Sequence, residues 1–217
     1  MAALLLLFLT LPAAFAVKCP DDFIHVKRVP TTKNNHTKDW CLGAFAFDNM
    51  GNRDRARSFC ISQKAMLSIP ESKSEYDVLM KEVERKKIAE PYAIDGEINS
   101  RCKAHIFRLN EQNVKYNTTT MKGDCNVKKN LFVFDDINSN PEFVLTHFMF
   151  TIPNRMSSSQ TLGGPMFRKI NECVQMQSSF DTYFDTKHCG GRLTNGTDYD
   201  QMEESRIDAV ICGRHPL

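Results

Sequence analysis

Several features that would point directly to a function are missing from this sequence. Its 217 residues carry a formal net charge of only +2, without the Lys/Arg blocks typical of proteins that bind nucleic acid or membrane surfaces. No two of its eight cysteines are closer than sixteen residues, whereas zinc sites favour clustered Cys and His ligands. The motifs His-x-x-x-His and Gly-x-Ser-x-Gly are also absent, which argues against metalloproteases and α/β-hydrolases.

The sequence also lacks an apolar run long enough to cross a membrane, and its first sixteen residues indicate a different role. Residues 1–16 carry no ionisable side chain and combine a leucine-rich stretch with the ending Ala14-Phe15-Ala16. A membrane anchor needs about 20 apolar residues, but Lys18 interrupts this run too early. We interpret residues 1–16 as a secretory signal peptide. Residues 17–217 are then expected to be a single secreted domain without a membrane span.

The cysteine count fits an oxidising compartment. All eight cysteines follow Ala16, and an even number in a secreted chain favours disulfides, although composition alone leaves about a hundred pairings open. With every cysteine in a disulfide, no free thiol nucleophile remains. Three Asn-x-Ser/Thr sequons lie in polar stretches, and we predict surface glycosylation at Asn35, Asn117 and Asn195.

Hydrophobic periodicity predicts two helices in the first half of the chain. The apolar face of the first helix consists of Ala56, Phe59 and Cys60. Residues 65–69 then predict a short strand. Ser72 and Glu75 have the spacing of a capping box, which begins a second, amphipathic helix that we expect Pro91 to end. The apolar face of this second helix consists of Tyr76, Leu79, Met80 and Val83.

The second half of the sequence alternates short apolar runs with polar stretches, which predicts strands of small antiparallel sheets. The predicted strands are residues 92–94, 131–134, 143–145, 148–150 and 207–212. Residues 151–165 contain serine and glycine clusters and predict a long loop, and loops of this length are usually functional or disordered. These patterns together predict an α+β fold.

Paired acidic residues are the feature of this sequence that could support an enzymatic function. Two carboxyl groups held about 5 to 9.5 Å apart could hydrolyse a glycosidic bond. We interpret the pairs in this sequence as solvated surface or turn residues, and a secreted hydrolase is kept as an alternative. The pairs are Asp21-Asp22, Asp135-Asp136 and Glu203-Glu204.

The order of several short motifs resembles that of a C-type lectin-like domain. The resemblance covers residues 19 to 214, and it is closest to the secreted nematode-type branch of the family. It implies an α+β fold with two helices, small antiparallel sheets, a long loop region and an N-terminal extension, stapled by disulfides. The motifs are Cys19-Pro20, Trp40-Cys41, Ala56-x-x-x-Cys60, Ala65-x-Leu67-Ser68, Ile94-Asp95-Gly96, Phe134-Asp135-Asp136, Glu172-Cys173-Val174-x-Met176 and Ala209-Val210-Ile211-Cys212-Gly213.

The resemblance also implies which cysteines pair and where a ligand would bind. The implied disulfides are Cys19–Cys41, Cys60–Cys212, Cys102–Cys125 and Cys173–Cys189. Sugar-binding members of the family hold calcium with a Glu-Pro-Asn-type tripeptide, an acidic pair and a Trp-Asn-Asp motif. In this sequence the three positions read Ile152-Pro153-Asn154, Asn171-Glu172 and Phe184-Asp185-Thr186. The implied ligand-loop candidates are therefore Pro153, Asn154, Asn171, Glu172 and Asp185.

The residues at these positions do not favour a calcium site. Calcium prefers six to eight oxygen ligands, with carboxylates setting the affinity. Ile152 offers no oxygen, Asn171 and Thr186 offer neutral ones, and Asp185 alone keeps a carboxylate in line. We therefore expect no cofactor and no metal ion in this chain.

These observations predict a secreted, non-enzymatic binding module. Its expected partner is an extracellular glycan or a protein surface, recognised without calcium, and the resemblance implies a setting in defence against microbes. A calcium-dependent carbohydrate-binding lectin is the first alternative, and the secreted hydrolase is the second.

Overall fold

Eight strands join in one sheet in the computed structural model of this chain, which describes residues 17–46, 53–102, 105, 121–148, 173–177, 183–187 and 209–217. The strands are β1 (Ile24–Lys27), β2 (Asp39–Ala46), β3 (Met66–Leu67), β4 (Tyr92–Ile98), β5 (Phe132–Val133), β6 (Cys173–Met176), β7 (Phe184–Lys187) and β8 (Ala209–Arg214). Their order is β1-β2-β8-β4-β6-β7, with β3 beside β8 and β5 beside β4. Strands expected in several small sheets therefore share a single layer.

Strand β8 lies at the centre of this sheet. It pairs antiparallel with β2 and β3, and parallel with β4, where Tyr92 lies opposite Ala209. Residues 209–213 of β8 are all buried. An apolar run of this kind is typical of a strand that is covered on both faces, which explains its central position.

The helices whose bounds lie within the described residues are α1 (Arg53–Ser62), α2 (Lys73–Lys86) and α3 (Glu142–Thr146). Short 3-10 turns lie at Thr32–Asn34 and Gly123–Cys125, and residues 100–102 and 105 are also helical. Helix α1 buries Ala56 and Cys60 as predicted. Helix α2 ends earlier than predicted, at Lys86. Lys87 has a left-handed backbone (φ 54°), and its N–H donates to the carbonyls of Val83 and Glu84. This left-handed cap, and not Pro91, ends the helix.

The capping box at the start of α2 forms only in part. The Oγ of Ser72 accepts the N–H of Glu75 at 3.2 Å, as the motif predicts. The Glu75 carboxylate does not return to Ser72. It accepts the N–H of Glu71 at 3.0 Å and binds the guanidinium of Arg28. The Glu75 carboxylate therefore binds the buried Arg28 guanidinium instead of the Ser72 N–H, its partner in a complete capping box.

Residues 143–145, predicted as a strand, lie in helix α3, so this prediction is wrong. Pro141 occupies the N-cap, and the Oδ1 of Asn140 accepts the N–H of Glu142 at 3.1 Å. A run of three apolar residues fits either a strand or a helix, and these flanking residues favour the helix. Residues 92–94 lie in β4, residues 132–133 of the predicted strand 131–134 form β5, and residues 209–212 of the predicted strand 207–212 lie in β8. Residues 207–208 lie outside the described residues. Residues 149–150 and the predicted loop 151–165 lie outside the described residues.

Arg28 ties the N-terminal segment to the rest of the fold. Its side chain is fully buried and uses all five N–H donors. Nε and Nη2 bind the two carboxylate oxygens of Glu75, Nη2 also donates to the carbonyl of Ile69, and Nη1 donates to Asn138 O and Ser139 Oγ. One side chain thus holds the end of the β1 segment, α2 and the loop before α3 together.

The structure contains the disulfides Cys19–Cys41, Cys60–Cys212 and Cys102–Cys125. These are three of the four pairs that the resemblance implies. Cys173 is also disulfide-bonded, but Cys189 lies outside the described residues. The Cys60–Cys212 bridge links α1 to the central strand across 152 positions of the chain, so it connects the two halves of the fold.

Candidate ligand site at the sheet edge

Strands β6 and β7 form an antiparallel hairpin at one edge of the sheet, and this hairpin contains one of the residues implied as ligand-binding. Asp185 lies in β7 with its backbone opposite Gln175, and Thr186 lies opposite Val174. The other four ligand-loop candidates, Pro153, Asn154, Asn171 and Glu172, lie outside the described residues. The structure therefore places one of the five candidates, on the edge strand.

Gln175 is a polar residue of this hairpin that the sequence analysis missed. Its side chain is 2% exposed, and its strand position is opposite Ala93 of β4. Neither its carboxamide oxygen nor its nitrogen has a hydrogen-bond partner among the described residues. A buried polar group in this state costs about 1–3 kcal/mol. The motif Glu172-Cys173-Val174-x-Met176 leaves position 175 unspecified, so only the fold reveals that Gln175 lies opposite Asp185.

A cluster of buried and half-buried charges lies at the end of β4, next to the start of β6. Glu97 of β4 pairs with Cys173, the first residue of β6. Arg53 of α1, which is 3% exposed, donates from Nη2 to Oδ1 of Asp95 at 2.5 Å. Its Nη1 is 3.2 Å from Oε2 of Glu97, close enough for an ion pair but not aligned for a hydrogen bond. We call Arg53, Arg57, Asp95, Glu97 and Asp135 the charged cluster.

Asp95 is the fully buried member of the charged cluster. Its carboxylate accepts the N–H of Gly96 at 2.9 Å, of Asp135 at 2.6 Å and of Asp136 at 2.8 Å, in addition to Arg53. Burial raises the pKa of Asp95 to about 6, although the N–H of Asp136 and the charge of Arg53 lower it. Asp95 therefore holds the 135–136 turn against the end of β4.

The acidic pair Asp135-Asp136 is not the solvated pair that the sequence suggested. Asp135 is half-exposed and contacts Arg57, but Asp136 is only 2% exposed. The Asp136 carboxylate accepts the hydroxyls of Ser68 at 2.5 Å and Ser139 at 2.6 Å. A carboxylate that is enclosed and paired in this way maintains the fold and cannot reach a substrate.

Two shallow clefts of about 340 and 290 Å³ lie elsewhere on the surface. The first is lined by residues of β2 and the end of α2, and the second by Trp40, the α1–β3 connection and residues 213–216. Neither cleft includes Gln175 or the charged cluster.

Among the residues that the structure describes, no three His, Cys, Asp or Glu side chains are grouped so that they could hold a metal ion. No helix within these ranges is long and apolar enough to span a bilayer.

Comparison with known proteins agrees with the fold. The family model described as C-type lectin domain-containing protein 141/158 matches residues 25–215. The α+β fold, with its disulfides and edge hairpin, is thus that of a C-type lectin-like domain, a non-enzymatic binding module. The chain belongs to the C-type lectin domain-containing protein 141/158 family.

One curated relative and two solved structures illustrate the range of similar proteins. C-type lectin domain-containing protein 158 of Caenorhabditis elegans is 34% identical over 53 residues, which is 24% of this chain and 25% of that protein. A calcium-independent type II antifreeze protein has a TM-score of 0.47 at 14% identity, covering 94% of this chain and 99% of that chain. The carbohydrate-recognition domain of cow CD23, crystallised with a GlcNAc2Man3 oligosaccharide, has a TM-score of 0.43 at 13% identity, covering 92% and 98%.

Proposed function

We propose that this chain is secreted and recognises an extracellular glycan or protein surface without calcium. The observation that carries the proposal is the composition of the edge hairpin. Sugar-binding members that use calcium have Asn-Asp where this chain has Asp185-Thr186, and the threonine supplies a neutral hydroxyl. A neutral oxygen compensates poorly for the water that a divalent ion must lose.

The surroundings of the hairpin support recognition by hydrogen bonds and fixed charges. The partly exposed members of the charged cluster, Arg57, Glu97 and Asp135, are held next to the point where β6 begins. The buried Arg53 pairs with Glu97 and fixes its position. Such groups fix the orientation of a ligand with few polar contacts and do not require a metal ion. The proposed biological setting, by resemblance to the family, is defence against microbes.

A glycan array with the secreted protein, read in calcium and in excess chelator, tests this function. We expect the bound glycans and their signal to be the same in both buffers. Asp185→Asn should weaken this binding, whereas the matched control Asp54→Asn, which removes an exposed carboxylate on α1, should leave it unchanged. Glycan binding that the chelator abolishes would overturn the proposal in favour of a calcium-dependent lectin. Absence of any bound glycan would leave a protein surface as the proposed partner.

Secretion is tested separately. We expect the chain, expressed in a eukaryotic secretory host, to accumulate in the medium with Val17 as its first residue. The hydrophobic residues 1–16 and the disulfides support this expectation. Retention inside the cell with an uncleaved N-terminus would contradict it.

A further inference from the structure

Two large apolar side chains, Met66 and Ile137, are exposed next to Asn138, and a third, Val29, is exposed beside Arg28, which donates to Asn138. Val29 is 78% exposed, Ile137 is 67% exposed and Met66 is 38% exposed. Asn138 follows Ile137 and donates from Nδ2 to Sδ of Met66 at 3.7 Å, and its carbonyl accepts from Arg28, the neighbour of Val29, at 2.8 Å. We call Val29, Met66 and Ile137 the apolar patch. Single exposed apolar residues need no explanation, but a group of them usually has a partner.

The same Asn138 contacts a glycosylation sequon. Nδ2 of Asn35, the atom that would carry a glycan, lies 3.5 Å from Oδ1 of Asn138. Asn35 is exposed and has a left-handed backbone (φ 51°) at the end of a 3-10 turn. The neighbouring Asn34 fixes this turn, because its side chain donates to the carbonyl of Val29 at 3.0 Å and accepts the N–H of Thr31 at 2.8 Å. The acceptor atom is therefore held at the border of the apolar patch.

We propose that Asn35 carries an N-linked glycan and that this glycan covers the apolar patch. A glycan is bulky and solubilising, and its sugar rings present C–H faces that can lie against apolar side chains. Its first sugar would begin at Nδ2 of Asn35, beside Asn138, which follows Ile137 and contacts Met66. The glycan would shield Ile137 and Met66 from water and from unrelated proteins.

Oxidation of Met66 by hydrogen peroxide measures directly how far the glycan shields this side chain from solvent, because a thioether reacts according to its exposure. The protein is produced in a eukaryotic secretory host, glycan occupancy is determined by mass spectrometry, and formation of Met66 sulfoxide is followed over time. We expect several-fold faster oxidation in Asn35→Gln and in wild type from which the glycans have been removed enzymatically. Asn117→Gln, which removes a different sequon, should behave as wild type. Met121, which is fully buried, should react slowly in every sample.

Three results would overturn the proposal, and they differ from one another. An unoccupied Asn35 in the secreted protein would show that the modification does not occur. Equal oxidation rates with and without a glycan at Asn35 would show that the glycan points away from the patch. Faster oxidation in Asn35→Gln but not after enzymatic removal would assign the effect to the lost contact between Asn35 and Asn138. None of these outcomes depends on the ligand recognised at the sheet edge.

Discussion

Arg28 and Glu75 meet in the interior through two parallel hydrogen bonds, each 3.0 Å long. The arginine side chain is fully buried and the glutamate is 4% exposed. The pair joins the residue that follows β1 to the first turn of α2, and the two residues are 47 positions apart in the sequence. A bidentate pair of this kind requires the planar guanidinium, since the lysine ammonium is a single point charge.

We therefore expect Arg28→Lys to be strongly destabilising. Lysine has three donors instead of five, so it leaves the Glu75 carboxylate or the carbonyls of Ile69 and Asn138 without a partner. Breaking a buried pair costs about 3–5 kcal/mol, which chemical denaturation would measure as a lower free energy of unfolding. Lys33→Met, which breaks the exposed pair with Glu142, is the control and should cost about 1 kcal/mol or less. Equal losses in the two variants would contradict this account.

The disulfides should differ in their contribution to stability. Cys60–Cys212 closes a loop of 152 positions and Cys102–Cys125 a loop of 23. By chain entropy the first contributes about 5 kcal/mol and the second about 3 kcal/mol. Paired Cys→Ala variants of each bridge, compared by thermal unfolding, should show the larger loss for the Cys60–Cys212 pair. The opposite order would mean that native-state strain or residual structure outweighs loop length.

The pKa of Asp95 predicts how stability changes with pH. Its value of about 6 is above the ordinary value near 3.9, so the folded state binds the proton more tightly than the unfolded state does. The stabilisation is complete below about pH 4 and is lost as the pH rises through about 6, by at most about 3 kcal/mol. Urea unfolding of the wild type at pH values between these limits should therefore show that the free energy of unfolding falls as the pH rises.

The free energy of unfolding should depend less steeply on pH in Asp95→Asn. We also expect this variant to be less stable, because its amide hydrogens oppose Arg53. Asp54→Asn, on the exposed face of α1, should keep the wild-type slope. A decline of equal slope in Asp95→Asn would assign the pH dependence to another group.

Gly213 in β8 should not tolerate a side chain. A Cβ at this position would lie 2.5 Å from Oγ and 2.6 Å from Cβ of Ser68, and it would also overlap the indole nitrogen of Trp40. Gly213→Ala should therefore cost about 1–3 kcal/mol through overpacking, measured by denaturant unfolding. Ser68→Gly removes both serine atoms, so the double variant should lose less than the sum of the two single changes. Additive losses would show that these atoms are not what excludes alanine.

Calcium should contribute little to stability. A micromolar site would stabilise the folded state by about 4 kcal/mol at about 1 mM calcium, whereas a millimolar site would give about 0.4 kcal/mol. Because about 1 kcal/mol moves the melting temperature of a domain of this size by about 2–4 °C, scans in calcium and in chelator should agree within about two degrees. A shift of many degrees would reveal a strong site and favour the calcium-dependent alternative.

The sequence predicts those elements whose signals are local. Helix α1 follows from the spacing of Ala56 and Cys60, and the start of α2 follows from Ser72. The prediction from sequence was wrong at residues 143–145, where three apolar residues carry no periodicity. It was also wrong at the end of α2, where Lys87 adopts a left-handed conformation. A non-glycine residue in that conformation has no reliable sequence signal.

The polar interior could not be predicted for a different reason. Arg53 and Asp95 are 42 positions apart, and Ser68 and Asp136 are 68 apart. Each of these side chains is polar and would ordinarily be assigned to the surface. Their burial depends on partners that only the tertiary fold brings together, as does the position of Gln175 beside Asp185.

The central position of β8 has a consequence for the order of events during synthesis. Of the described strands, β8 is the last to leave the ribosome, yet β2, β3 and β4 all depend on it for hydrogen bonds. Until residues 209–214 emerge, these three strands expose edges that can pair with other chains. Pairings over such long separations form slowly, so the nascent protein passes through a period of aggregation risk that a rearranged strand order would avoid.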